Sequence, residues 1–464
     1  MRGCVGVAVA LAALLPTGAP AAPMVEAAYV VLAPAHDGAT VALARVVVPR
    51  DQTCPSLATA TGRLATVPRG NPDPARFPVT VCEAVLPTGT GAVVADTATA
   101  LPAFVPASAR IAILGDTGCG TWQACADPAA WPFARIAARA AEADPDLVVH
   151  VGDYVYRGTP TYVAIDGVRR ATYNAGNYAL DDTDCQLNDP YYSQNGQGSA
   201  LPDSWAAWRE DFFIPAAPLL GRAPWVVARG NHELCSRAGP GWFYFLDPGS
   251  DLLGGARSCP AQTQGGDALA NLAFTPPYAV ELDGLRLVVM DTANACDQHA
   301  NFADRYALQL DEVAQLAATG RTWLVTHRPI WGVDWLDAGT YQTSNVTLRQ
   351  ALTQTAASGL PDGVGLVLSG HIHRFEALTF AGRQPPQLVI GNSGISLERD
   401  ELQGSFTVDF DGRSARGMAV DAFGYLDARI RPDGAWSGDL LDPAGTILAR
   451  CASPTADGEV CVQP

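Results

Sequence analysis

The sequence predicts an α/β region preceded by a small β-domain, and three observations carry that prediction. Several short apolar runs beyond residue 110 end in Gly-Asp, Gly-Asn or Gly-His steps. Before that point, β-branched runs alternate with Pro- and Gly-rich turns. An Ala- and Pro-rich linker around Leu101 to Ala107 separates the two rhythms. At 464 residues and 48% hydrophobic, the chain can bury one or two full cores.

Taken in order, residues 1–21 open with Arg2, run through the apolar stretch Val5 to Leu15 and end on Ala19-Pro20-Ala21, a pattern that signal peptidases cut. This predicts export, hence a secreted or periplasmic protein. The stretch is too short to stay in a bilayer, and no later segment offers about 20 consecutive apolar residues, so no membrane partner is expected. Residues 27–107 hold runs such as Val41 to Val48 and Phe77 to Val85 and are expected to form the small β-domain. Residues 108–464 form the larger region.

Within that region the apolar runs are Ile111 to Leu114, Leu147 to Val151, Trp225 to Ala228, Leu285 to Met290, Trp323 to Val325, Leu366 to Leu368 and Leu388 to Ile390. Runs of this kind read as interior strands, and open α/β sheets place ligands just past such strand ends. Asp127-Pro128 is expected to start a helix reaching about Ala143, and a second amphipathic helix should run from about Asp304 to Ala318. Tyr162 to Asp203, rich in Asn, Asp, Gly and Tyr, reads as a long surface loop. The tail from Phe406 onward reads as further strands that close the sheet.

Eleven cysteines are present, and removal of Cys4 with the leader leaves an even ten, as expected for disulfides in an exported chain. Cys54 with Cys82, Cys119 with Cys125, and Cys451 with Cys461 are the local pairings. Clustered C-x-x-C spacings, which a zinc site would need, are missing from the sequence. A formal charge of -17 leaves little basic surface for a phosphate backbone, so nucleic acid is not expected as a stable partner. All 30 cationic residues are Arg.

Five strings stand in order: Gly115-Asp116-Thr117-Gly118, Gly152-Asp153-Tyr154-Val155-Tyr156, Gly230-Asn231-His232-Glu233, Val325-Thr326-His327 and Gly370-His371-Ile372-His373. Any one alone is a weak signal. Together they offer carboxylate, phenol, amide and imidazole donors at strand ends, a donor set for two hard or borderline metals. They match, in order and spacing, the motifs of the purple acid phosphatases, and the chain resembles that group of the calcineurin-like metallophosphoesterase superfamily over roughly residues 110 to 400. One small departure is Leu324, which stands at the valine place of the fourth motif.

The resemblance implies a four-layer α/β/β/α sandwich preceded by a small β-sandwich. It implies that Asp116, Tyr156 and His373 bind one metal, that Asn231, His327 and His371 bind the other, and that Asp153 bridges them. The metals would be ferric iron and a divalent ion (zinc, iron or manganese), and the substrate a phosphate ester, hydrolysed by attack of a metal-bound hydroxide. Superfamily members commonly carry a histidine two residues after the first Asp, where this chain has Gly118. Tyr156 is expected to replace that ligand, since a tyrosinate for an imidazole offsets ferric for divalent metal in net charge and is a hard donor suited to ferric iron. Tyr154, two residues earlier, would share its face in an extended segment, and the motif spacing alone selects Tyr156.

His232 is the candidate to hydrogen-bond the phosphate or protonate the leaving alkoxide, with Glu233 orienting its ring. His150 is expected beside the ligands or in the core. His36 and His299 are expected at the surface, His299 in a polar loop able to approach the substrate. Asn392-Ser393-Gly394 should form a turn near the site. The rival readings are a phosphodiesterase on the same scaffold, an exported alkaline enzyme using iron with calcium, and a binding module with a vestigial site. The complete donor set argues against the last of these.

Overall fold

A computed structural model describes residues 22–107, 109–120, 123–156, 161–165, 168–172, 203–235, 237–259, 274–297, 300, 302–317, 321–336, 340–398, 402–453 and 458–464. The expected leader, residues 173–202 of the expected loop and His299 lie outside the described residues. That loop opens on an antiparallel hairpin, Thr161–Ile165 with Val168–Thr172, rather than on irregular chain.

The first large sheet is built from β1 (Ala27–Pro34), β2 (Thr40–Pro49), β3 (Val79–Leu86), β4 (Arg110–Leu114), β5 (Leu147–His150) and β6 (Trp225–Val227). The second is built from β7 (Tyr278–Leu282), β8 (Leu285–Val289), β9 (Thr322–Val325), β10 (Val364–Ser369), β11 (Phe375–Phe380) and β12 (Gln387–Ile390). At the centre of each sheet the strands are parallel: β4, β5 and β6 in the first, β8, β9, β10 and β12 in the second. The tail strands divide between the sheets. Gly404–Phe410 and Arg413–Val420 extend the second, whereas Tyr425–Ile430 and the strands after it extend the first beyond β4. The N-terminal strands also belong to the first sheet, because β1 pairs in parallel with β6 and leads to β2 and β3.

Strand alternation sets the layers. Ile111 and Ile113 of β4 face a core shared with Leu287, Val325, Leu366 and Leu388 of the other sheet. Ala112 and Leu114 face outward, onto α1 (Phe133–Glu142) and α2 (residues 205–220, with a π-turn over Arg209–Phe213). The short α3 (Gly239–Phe245) covers the same face. On the far side, Val288, Leu324 and Val367 pack against α4 (Ala303–Ala317) and α5 (Val346–Gln354). The order is therefore helix, sheet, sheet, helix. Each branched side chain buried between the sheets contributes about 1.5–3 kcal/mol.

The helix expected from Asp127 starts later, at Phe133. The Asp127 side chain accepts the Ala129 amide at 2.9 Å, and its carbonyl accepts the amides of Ala130 and Trp131, which spends this segment on turns. Pro132 then occupies the N-cap and the helix follows. The three expected disulfides are present, together with Cys235–Cys259, and Cys296 is also disulfide-bonded.

Candidate metal centre

Each of the five strings leaves the C-terminal end of a parallel strand: Asp116 after β4, Asp153 after β5, Asn231 after β6, His327 after β9 and His371 after β10. The strand ends of the two sheets thus meet in one crevice. Three of these residues sit in the left-handed region, Asp116 at φ 54°, Asp153 at φ 59° and His371 at φ 75°. Such backbone costs of order 1–3 kcal/mol per residue and persists where its surroundings enforce it. Here the Asp116 amide donates to the Gly152 carbonyl at 2.9 Å and the Thr117 amide to that of Asp153 at 3.0 Å, which ties the first two turns together.

Asp153 lies at the middle of the cluster. Its Oδ2 accepts from the Tyr156 hydroxyl at 2.9 Å and lies 3.3 Å from His327 Nε2, while its Oδ1 accepts the His232 amide at 2.8 Å. On one side the Tyr156 hydroxyl also donates to Asp116 Oδ1 at 2.9 Å and lies 3.2 Å from His373 Nε2. On the other, Asn231 Oδ1 stands 2.9 Å from both His327 Nε2 and His371 Nδ1. Donor atoms of Asp153, His327 and His371 all lie within 4.8 Å of one another.

The electrostatics suit a cation-binding site. Burial, followed by the Asp116 and Asp153 carboxylates, holds the Tyr156 phenol well above its usual range, so it keeps its proton and shares it with both. Burial and the Asp153 charge push Asp116 up to about 8, although His327 pulls it down. Burial works against charge on Asp153 too, but His327 and His232 outweigh it and its carboxyl falls well below the ordinary range. Neighbouring carboxylates that titrate so far apart are a like-charge pair, and bound metal would replace the protons on Asp116 and Tyr156.

The structure separates the two tyrosines. Tyr154 turns into an aromatic cluster, stacked on His150 with centroids 3.9 Å apart, and its hydroxyl donates to the Ala228 carbonyl at 3.1 Å. Tyr156 lies among the carboxylates. A Cβ added at Gly118 would stand 2.8 Å from Tyr156 Cδ2 and 2.7 Å from the Tyr154 carbonyl, so this turn has room for the phenol or for a side chain at 118, not both.

Glu233 does not orient the His232 ring. Its carboxylate accepts the amides of Asp153, Tyr154, Val155 and Gly230 at 2.8–3.2 Å, so it holds the Asp153 turn in place. The His232 ring instead packs tilted against Tyr156, centroids 3.9 Å apart, and burial followed by the Arg237 charge keeps the imidazole neutral. His150 is a satisfied core residue, bonded to Thr117 Oγ1 at 2.9 Å and to the Gly152 amide at 3.2 Å. His36 is exposed. Asn392-Ser393-Gly394 packs under the Asp116 turn, where the Ser393 amide donates to the Gly115 carbonyl at 3.2 Å. Sequence reasoning missed Asp297 and Arg328, which meet His371. Arg328 adjoins His327 in sequence, but no motif marks Asp297.

None of the curated proteins matches the chain. A purple acid phosphatase, PPD1 from yellow lupin (Lupinus luteus) seeds, is similar in structure with a TM-score of 0.51 at 12% identity, over 93% of this chain and 74% of that one, which speaks to the fold. GAP50, the anchor in the inner membrane complex of Plasmodium, aligns over 77% of this chain and 90% of its own at 13% identity, with a TM-score of 0.35. The calcineurin-like phosphoesterase family model matches residues 109–375, the stretch that carries all seven converging side chains, and the chain belongs to that family of metal-dependent phosphoric ester hydrolases.

Proposed function

We propose that the protein is a secreted phosphomonoesterase of the purple acid phosphatase type, with a dinuclear centre of ferric iron and a divalent metal. The observation that carries this reading is the Tyr156 hydroxyl bonded to both Asp116 and Asp153, with Asn231, His327 and His371 grouped on the far side of Asp153. Asp116, Tyr156 and His373 would hold the ferric ion, Asn231, His327 and His371 the divalent one, and Asp153 both. When bound, the pair supplies Lewis acidity toward the phosphoryl group and activation of water. The chain's own residues orient the ester. His232, neutral and held over Tyr156, offers a ring N–H to a phosphate oxygen or the departing alkoxide, while Glu233 anchors the amides that fix Asp153. The disulfides and the apolar N-terminal stretch support the secreted reading. Among the described residues no helix is long and apolar enough to cross a membrane.

Metal analysis with paired monoester and diester substrates tests the reading. Two metals per chain, one of them iron, and faster monoester turnover are expected, whereas preference for the diester would favour the phosphodiesterase reading. Asp153→Asn should lose activity and both metals. His232→Ala should lower turnover about 10²–10⁴-fold with metal content near that of the unmodified protein.

A further inference from the structure

His371 uses both ring nitrogens. Its Nδ1 lies 2.9 Å from Asn231 Oδ1, on the side facing Asp153, and its Nε2 lies 2.9 Å from Asp297 Oδ2. A neutral imidazole has one N–H and one lone pair, so the nitrogen that donates to the carboxylate fixes the other as the metal-binding atom. We propose that Asp297 is a positioning residue that holds the His371 proton on Nε2 and aims the Nδ1 lone pair at the metal shared with Asn231 and His327. This rests on the dinuclear reading above and adds to it a residue outside the seven donors.

Asp297 is itself held by two partners, Asn345 and Arg328. Its Oδ1 accepts from Asn345 Nδ2 at 2.7 Å, and Asn345 Nδ2 also donates to the Ala295 carbonyl at 3.1 Å. Its Oδ2 forms an ion pair with Arg328, whose Nη1 lies 3.0 Å from His371 Nε2, so two donors converge on one oxygen. Arg328 is tethered in turn, its amide to Thr292 Oγ1 at 2.8 Å and its Nε to the Ala293 carbonyl at 3.3 Å. The opposite tautomer would meet the Arg328 N–H at 3.0 Å, but it would set the Nε2 lone pair against a carboxylate oxygen at 2.9 Å and turn an N–H toward the metal. The ring is also fixed from its backbone, since the His371 amide donates to the Asp116 carboxylate at 2.9 and 3.1 Å.

The test uses the full-length metal-loaded protein and its Asp297→Asn, Asp297→Ala and Asp297→Glu variants. Chelator competition gives the affinity of each metal, and thermal unfolding reports integrity. Asp297→Asn and Asp297→Ala should weaken the divalent metal about 10–100-fold while iron stays bound, and Asp297→Glu should recover part of the loss. Unchanged affinity for both metals overturns the proposal. So does equal loss of both metals together with a lower melting temperature, because that is what a merely structural carboxylate would produce. Unmodified protein that binds a single metal overturns the dinuclear reading and this inference with it, a result visible before any variant is made.

Discussion

At the residue scale the choice between two tyrosines decides the character of the centre. Strand alternation left Tyr154 and Tyr156 on one face, but β5 ends at His150, the chain turns at Gly152 (φ 108°) and Asp153 (φ 59°), and neither tyrosine lies in a strand, so alternation does not relate them. The two phenols then diverge, one into the Trp208, Phe212 and Trp242 cluster and the other onto the carboxylates. Tyr156→Phe keeps the ring and its contact with His232 while removing the donor oxygen. It should abolish any visible charge-transfer band and deplete iron, measured by absorption spectroscopy and metal analysis. Tyr154→Phe should forfeit one buried hydrogen bond, about 1 kcal/mol, with metal content unchanged. A band that survives Tyr156→Phe would move the ligand elsewhere.

At the element scale, what the sequence disclosed was the strand ends. Each parallel strand is an apolar run buried on both faces, so polar residues within four positions of its end mark the crevice, and Asp116, Asp153, Asn231, His327 and His371 were legible for that reason. Elements whose apolar residues follow no simple period were not legible. In α2, Trp208, Phe212 and Phe213 cluster around a π-turn with Pro215 and Pro218 close behind, and α3 is buried along its whole length. The role of Glu233 was misread because its partners are backbone amides, which carry no sequence signature. The turn after β4 yields a sharper expectation. Two of the atoms nearest an added Cβ at Gly118 are backbone, the Tyr154 carbonyl at 2.7 Å and the Tyr156 amide at 2.8 Å, and neither can swing away. Gly118→Ala should therefore cost about 1–3 kcal/mol by overpacking and should loosen iron by displacing Tyr156. Gly359→Ala, where an added Cβ meets nothing within 4 Å, is the control and should leave both metal content and denaturation midpoint in place.

At the scale of the whole molecule, the composition shift near residue 107 marks a change in strand type but does not interrupt the first sheet, which runs from the tail strands through β4, β5 and β6 into β1, β2 and β3. A buried ionic network fastens the N-terminal strands to α3 and the chain after it, a few residues beyond Glu233. Arg45 bonds Glu83 at 2.8 Å and the carbonyls of Phe245 and Asp247 at 2.6 and 2.7 Å, and Arg69 bonds the same Glu83 oxygen at 2.8 Å and the Phe243 carbonyl at 2.7 Å. The Tyr29 hydroxyl adds a bond to the Phe245 carbonyl at 2.6 Å. Removing one partner from a buried network leaves uncompensated charge and carbonyls, a loss of about 3–5 kcal/mol. Arg45→Ala should accordingly lower the free energy of unfolding, read from urea titration, by that amount while an excess of metal still loads the folded fraction. A chain beginning at residue 108 would lose β1 from the edge of β6 and the Tyr29, Arg45 and Arg69 donors to the Phe243 and Phe245 carbonyls. It is expected to be insoluble or to bind the 8-anilinonaphthalene-1-sulfonate dye strongly, whereas a monodisperse, metal-loaded 108–464 fragment would establish the N-terminal strands as an independently dispensable domain.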